Sequence, residues 1–257
     1  MKLLLVRASA GVRWVQQGVR TFWRQPLALT GLFFMSMAAM SLITVIPLVG
    51  PALALALLPA AQLSMMVATA ETLQGRFPLP ALVLVAFRSG AERRQSMLVL
   101  GALYAGCFLA LIGLSAAVDG GQFARVYLGG EPLTREIAAN SDFQSAMWLA
   151  LLLYLPLSAL FWHAPGLVHW HGVPPVKALF FSAVACLRNL WAFALFGLAW
   201  LAVFTAAGLV VAIATGFVAV FMGLAAHGLM LLGAMLLAAM FFSSIVFTFR
   251  DCFGAPE

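Results

Sequence analysis

From Leu27 to Ala70 the chain carries no charged residue. No globular surface can be made from such a run, and it is too long for one membrane helix, which needs about 20 apolar residues. It must lie in lipid and fold back on itself. Ile46-Pro47-Leu48-Val49-Gly50-Pro51 interrupts it midway with the proline and glycine punctuation of a turn. Three nearly bare stretches follow. Divided by length and punctuation, the whole reads as six spans at about 27–45, 51–73, 95–118, 145–162, 190–212 and 217–247, with the last turn placed at Thr215-Gly216. The fold class is therefore all-α, a single integral membrane domain.

Composition agrees with lipid as the main solvent: 64% of residues are hydrophobic and 9% are charged, against about 25% charged in soluble domains. The net charge of +6 does not point to nucleic acid, because the basic residues form no long run with interleaved aromatics and sit at span ends. Cys107, Cys186 and Cys252 occur singly, without metal or redox spacing. The apolar run Leu3 to Val6 is too short for the core of a signal peptide, so the N-terminus is expected to be retained.

Charge asymmetry sets the orientation. Lys2, Arg7, Arg13, Arg20 and Arg24 precede the first span; Arg76, Arg88, Arg93 and Arg94 lie between the second and third. Lys177 and Arg188 lie between the fourth and fifth, and Arg250 follows the sixth. With six alternating spans, 12 of the 14 basic residues share one face. Arg125 and Arg135, the other two, share the loop 119–144 with four acidic residues. The positive-inside rule makes the basic face cytoplasmic, with both termini inside, and places loop 119–144 on the far side, periplasmic in a bacterial inner membrane. Trp23, Trp148, Trp162 and Trp191 fall near span ends, as an aromatic belt requires.

A shorter helix-like segment precedes each odd-numbered span. Within the basic region 1–26, residues 12–23 place Val12, Val15, Val19, Phe22 and Trp23 on one face and Arg13, Gln16, Gln17 and Arg20 on the other, the pattern of an interfacial amphipathic helix. Segments 80–87 and 176–187 are too apolar for water and too short to cross, so they should wedge against the bundle at headgroup depth. Arg24, Arg94 and Arg188 follow the three segments at intervals of 70 and 94 residues. Most of the excess in the second interval is the loop 119–144. The chain thus reads as three units of interfacial helix plus helical hairpin.

The segment Thr21-Phe22-Trp23-Arg24-Gln25-Pro26, the segment Phe161-Trp162-His163-Ala164-Pro165, and the run from His169-Trp170-His171 through Pro174-Pro175-Val176-Lys177 to Arg188-Asn189 resemble an uncharacterised family of betaproteobacterial six-helix inner-membrane proteins. The resemblance spans the chain and implies the fold and the membrane. It implies no activity and no catalytic residue.

His163, His169 and His171 lie within nine residues at the cytoplasmic end of the fourth span. Three imidazoles could ligate a transition metal or haem, and a break at Pro165-Gly166 would let them converge. No cysteine or carboxylate lies nearby to complete a ligand set, so anchoring at the headgroup layer is the stronger reading. His227, placed deep in the sixth span on a stripe with Ala219 and Gly223, reads as a hydrogen-bonding contact between helices or as a relay. Glu71 should pair with Arg76 or with Arg93 and Arg94. The ring of Arg20, Arg24, Arg93, Arg94, Lys177 and Arg188 should attract anionic phospholipids, each charge being worth about 1 kcal/mol near such a surface.

No nucleophile motif, phosphate loop or carboxylate pair is present. The reading is a non-catalytic accessory or organising protein, with no cofactor and no metal, that binds lipids or another membrane protein. The alternatives are a channel or transporter for a small neutral or apolar solute, and a haem, metal or quinone protein using the histidines. Ion-coupled transport is disfavoured because no carboxylate lies at mid-membrane.

Overall fold

The computed structural model describes residues 3–254, apart from the side chains of residues 222, 224, 225 and 227. Among the described residues all regular structure is helical. Six helices are long and apolar enough to cross a membrane, which makes the chain an all-α polytopic membrane protein. In order the helices are α1 (Ala10–Phe22), α2 (Pro26–Thr44), α3 (Gly50–Leu73), α4 (Val85–Arg88) after a 3₁₀ turn at Pro80–Leu84, α5 (Ala91–Asp119), α6 (Gln122–Gly129) and α7 (Arg135–Ala139). They continue as α8 (Ser141–Phe161), α9 (Ala164–His171), α10 (Pro175–Arg188), α11 (Leu190–Met222) and, after a 3₁₀ turn at Gly223–Ala226, α12 (His227–Phe253). Helices outnumber strands here for a physical reason: only an intrasegment ladder satisfies every backbone group in lipid.

The first four spans are α2, α3, α5 and α8, close to their sequence limits, with α5 and α8 each extended by about a turn at the N-terminus. The last turn is elsewhere than expected. Thr215-Gly216 does not break α11, because in lipid a continuous helix is the cheapest way to pair the backbone. The chain turns instead at Gly223, whose φ of +55° needs a residue without Cβ. Spans five and six are therefore Leu190–Met222 and His227–Phe253, in place of 190–212 and 217–247. Loop 119–144 carries the two short helices α6 and α7.

The basic N-terminal helix is also corrected. Its buried face is Ala10, Gly11, Trp14, Val15, Gly18, Thr21 and Phe22, whereas Val12 and Trp23 are exposed. The helix does not float on lipid; it packs on α11 and α12. Glycines set that face: a Cβ on Gly18 would lie 2.5 Å from the Ser244 Cβ, and one on Gly11 would collide with the Ala192 carbonyl. Trp14 fills the seam, its indole N–H donating to Asp251 Oδ2 at 2.8 Å.

The three-unit division organises the packing in a regular way. Each short segment docks on the hairpin of the preceding unit. Residues 80–88 lie on α2 and α3, α10 lies on α5 and α8, and α1 closes the cycle on α11 and α12. The spans themselves are joined less evenly. Helix α3 packs against α5 and α12, and α12 against α2, but no comparable seam among the described residues joins α5 or α8 to α11 or α12. Among the described residues the hairpin α5–α8 and the hairpin α11–α12 meet at the ends that carry Trp162 and Thr248.

Candidate functional site

That meeting point is a clasp built from the two residues after α8. The Trp162 indole N–H donates to Thr248 Oγ1 at 3.0 Å, and the ring packs edge-on against Phe193, Phe196 and Phe241. His163, fully buried, places Nε2 3.2 Å from the same hydroxyl. Thr248 gives its own proton to the Ile245 carbonyl at 2.7 Å, so its oxygen accepts from both rings, which places a proton on His163 Nε2. Ser182 on α10 completes the corner: its hydroxyl donates to the Ala159 carbonyl at 2.7 Å and accepts from the His163 N–H at 2.9 Å. From α3, Gln62 donates through its amide nitrogen to the Trp162 carbonyl at 2.6 Å.

The histidines are thus separated in role. His163 belongs to the clasp. Pro165 starts α9 instead of breaking the chain, as proline does in a first helical turn, so His169 and His171 point to different sides. His169 Nδ1 meets Ser89 Oγ at 3.1 Å, and His171 stacks on Phe249. No group of three potential ligands converges on a metal-sized site among the described residues. His227 opens α12 directly after the turn and is therefore at a helix end, not deep in the span; its side chain lies outside the described residues. The stripe with Ala219 and Gly223 does not exist, because Gly223 ends the helix.

Arg20, Arg24, Arg93, Arg94, Lys177 and Arg188 are all exposed, and none forms an ion pair among the described residues. The ion pair expected of Glu71 is not formed either. The turn after α3 brings the Arg76 backbone N–H, not its guanidinium, to the Glu71 carbonyl at 2.9 Å.

Beyond the clasp the hairpins diverge, and the space between them is a half-open cavity of about 890 Å³. That lies in the upper part of the 300–1,000 Å³ range of ligand sites. Its floor is Phe161, Trp162 and Ile245, and Phe123 and Tyr127 of α6 stand at the opposite end. One helical stripe of α8, with Trp148, Leu151, Leu155 and Ser158 among its members, makes one wall. Phe33 of α2, Leu58 and Met65 of α3, and Phe242 of α12 belong to the facing wall. No ionisable side chain other than tyrosine lines it.

All three tyrosines of the chain line this one cavity. Tyr104 on α5 is buried, Tyr154 on α8 is 39% exposed and Tyr127 on α6 is 60% exposed, so they grade from interior to mouth. Phe108 sits among them, its ring centroid 6.1 Å, 6.0 Å and 6.3 Å from those of Tyr104, Tyr127 and Tyr154. The Tyr104 and Tyr154 hydroxyls lie within hydrogen-bonding reach of each other. Pro59 inside α3 withholds the amide that would pair with the carbonyl of Leu55, and both residues line the cavity. None of this was read from the sequence. The available signal was three tyrosines confined to the third span, the following loop and the fourth span, with prolines inside α3 and α8.

Along its full length the chain is 38% identical, over 264 aligned residues, to a probable inner membrane protein of Burkholderia thailandensis, 96% of which is covered. No family model and no solved structure matches the chain.

Proposed function

The chain belongs to the family of this Burkholderia protein and is an integral inner-membrane protein; from that premise we propose that it is a non-catalytic accessory or organising protein that holds lipid. The observation that carries the reading is the apolar cavity walled by α5, α6 and α8 on one side and by α2, α3 and α12 on the other. A water-facing site would need charged or strongly polar lining, whereas this one offers hydrocarbon walls at membrane depth. The exposed, unpaired arginines and Lys177 support a second mode of lipid contact, with anionic phospholipid headgroups at the basic face. A membrane-protein partner is compatible with the same surface.

The transport alternative draws little support from this geometry. The cavity ends at the clasp, and its lining offers no hydrated path. The haem or metal alternative loses its ligand set to Thr248, Ser89 and Phe249.

The test is native mass spectrometry of the protein extracted from its own membranes in mild detergent. Lipid adducts that survive delipidating detergent are expected, and a bare protein would overturn the lipid reading. The proposed orientation, both termini cytoplasmic, is checked separately. An impermeant thiol reagent applied to intact spheroplasts, on a background with Cys107 replaced, should label Gly130→Cys and spare Arg94→Cys. The reverse pattern would invert the topology.

A further inference from the structure

We infer that the cavity takes a lipid with an apolar tail and an uncharged oxygen head, a carbonyl or hydroxyl group, and excludes phosphate-headed lipids. The inference rests on the lipid reading above and names the ligand class of the same cavity.

The lining decides the head chemistry. An anionic phosphate placed there would meet no arginine, lysine or histidine, and an uncompensated charge at membrane depth is expensive. Arg20, Arg24, Arg93, Arg94, Lys177 and Arg188 stand beyond the clasp, and Arg125, on α6 near the mouth, is already paired with Glu131 at 3.5 Å and donates to the Gly120 carbonyl at 3.2 Å. An uncharged oxygen, by contrast, meets suitable partners.

The donors among the lining residues can be assigned one by one. Ser36 already donates to the Leu32 carbonyl at 2.9 Å, Ser158 to the Leu155 carbonyl at 2.7 Å, and Gln62 to the Trp162 carbonyl at 2.6 Å. That leaves the hydroxyls of Tyr104, Tyr127 and Tyr154, the first and last within hydrogen-bonding reach of each other, together with the Trp148 indole N–H and the second amide proton of Gln62. The Leu55 carbonyl, deprived of its helical donor by Pro59, is an acceptor on the other side. A carbonyl head would accept from tyrosine; a hydroxyl head would accept from tyrosine and donate to such a carbonyl.

Position follows from helix geometry. Tyr104 lies 13 residues into α5, roughly 20 Å along the helix axis, so the deepest hydroxyl is near mid-membrane while Tyr127 stands at the mouth. The head group sits along this row, on the wall made by α5, α6 and α8. The tail lies against Phe33, Met37, Leu58 and Phe242 on the facing wall. Tyr104 stacks on Phe108 while Tyr127 tilts against it and Tyr154 meets it edge-on, so ring faces and ring edges are both offered to a ring-shaped head.

The test uses the full chain in phosphatidylcholine nanodiscs with three probes. Decylubiquinone carries a carbonyl head and quenches tryptophan, and Trp148 and Trp162 both line the cavity. Farnesol carries a hydroxyl head, and lysophosphatidylglycerol carries a charged phosphate on a single chain. Saturable quenching by decylubiquinone is expected, reversed by farnesol and not by lysophosphatidylglycerol; whichever neutral probe binds tighter identifies the head as carbonyl or hydroxyl.

The double variant Tyr104→Phe/Tyr154→Phe should weaken decylubiquinone about tenfold, two hydrogen bonds of about 0.7 kcal/mol each, with its unfolding temperature unchanged. Tyr127→Phe serves as a second, rim-located variant. Displacement by lysophosphatidylglycerol at equal concentration would overturn the neutral-head inference and leave the lipid reading intact. Quenching that neither saturates nor responds to the tyrosine variants is bilayer partitioning and would also overturn it. Absence of any saturable probe together with absence of native lipid adducts would bring down both.

Discussion

Helix α8 meets its neighbours in two ways along one length. At its C-terminal end the clasp is closed: Trp162 and His163 pack against neighbouring phenylalanine rings, both meet Thr248, and their hydrogen bonds are made inside the protein. Toward the other end the stripe from Met147 to Ser158 looks onto open space. Both regions are apolar. What separates them is that lipid tails solvate leucine as well as another helix does, so no hydrophobic force closes a gap between spans. Closure has to come from shape and directed hydrogen bonds, and only the clasp has both.

The sharpest way to break this contrast is Trp162→Ala. It removes one hydrogen bond and three aromatic contacts at once, and a buried aromatic truncation costs about 3–5 kcal/mol. Thermal unfolding in detergent should show a large fall in midpoint. A midpoint within a degree of wild type would mean that the hairpins are held by something other than the clasp.

Thr248→Val tests the polar half alone. The side chain keeps its shape but loses the oxygen that accepts from both Trp162 and His163. Two donors are then left in a buried site, and one unsatisfied group costs about 1–3 kcal/mol. A smaller fall than that of Trp162→Ala is expected. Thr248→Ser, which retains the hydroxyl, should recover most of it; equal loss in both variants would show that the methyl group, not the oxygen, matters.

The sequence disclosed the parts of this architecture that depend on transfer free energy. Charge-free runs located the spans, arginines separated the two faces, and the short segments 80–87 and 176–187 were recognisable because they were neither long enough to cross nor polar enough to leave. Features that depend on fit were hidden. The contact face of α1 is set by what Gly11 and Gly18 lack, so counting apolar bulk found Val15, Val19 and Phe22 but also admitted Val12 and Trp23, which are exposed. Thr215-Gly216 resembles a turn by residue type, yet in lipid the helix runs on until Gly223. The histidines were visible as a cluster, but only the α9 helix shows that they serve three separate contacts. The cavity is the least legible of all: a missing seam between α8 and α12 leaves no mark on the hydropathy of either helix, and the tyrosines that line it come from three separate segments.

The smallest expected effect lies within α8 itself. Leu155 and Leu157 are two residues apart, which on a helix places them on different sides. Leu157 is 6% exposed, packed in the main core, while Leu155 is 58% exposed and lines the cavity. Leu157→Ala should cost about 2–5 kcal/mol, the range for a packed leucine. Leu155→Ala removes the same atoms from a wall that already faces open space or lipid, so almost no new void is created and the change should stay within about 0.5 kcal/mol, as for substitutions away from packed features. Paired unfolding curves in one detergent decide the matter. Equal losses would mean that α8 is packed on both sides, and the cavity between the hairpins would then be closed in the folded protein.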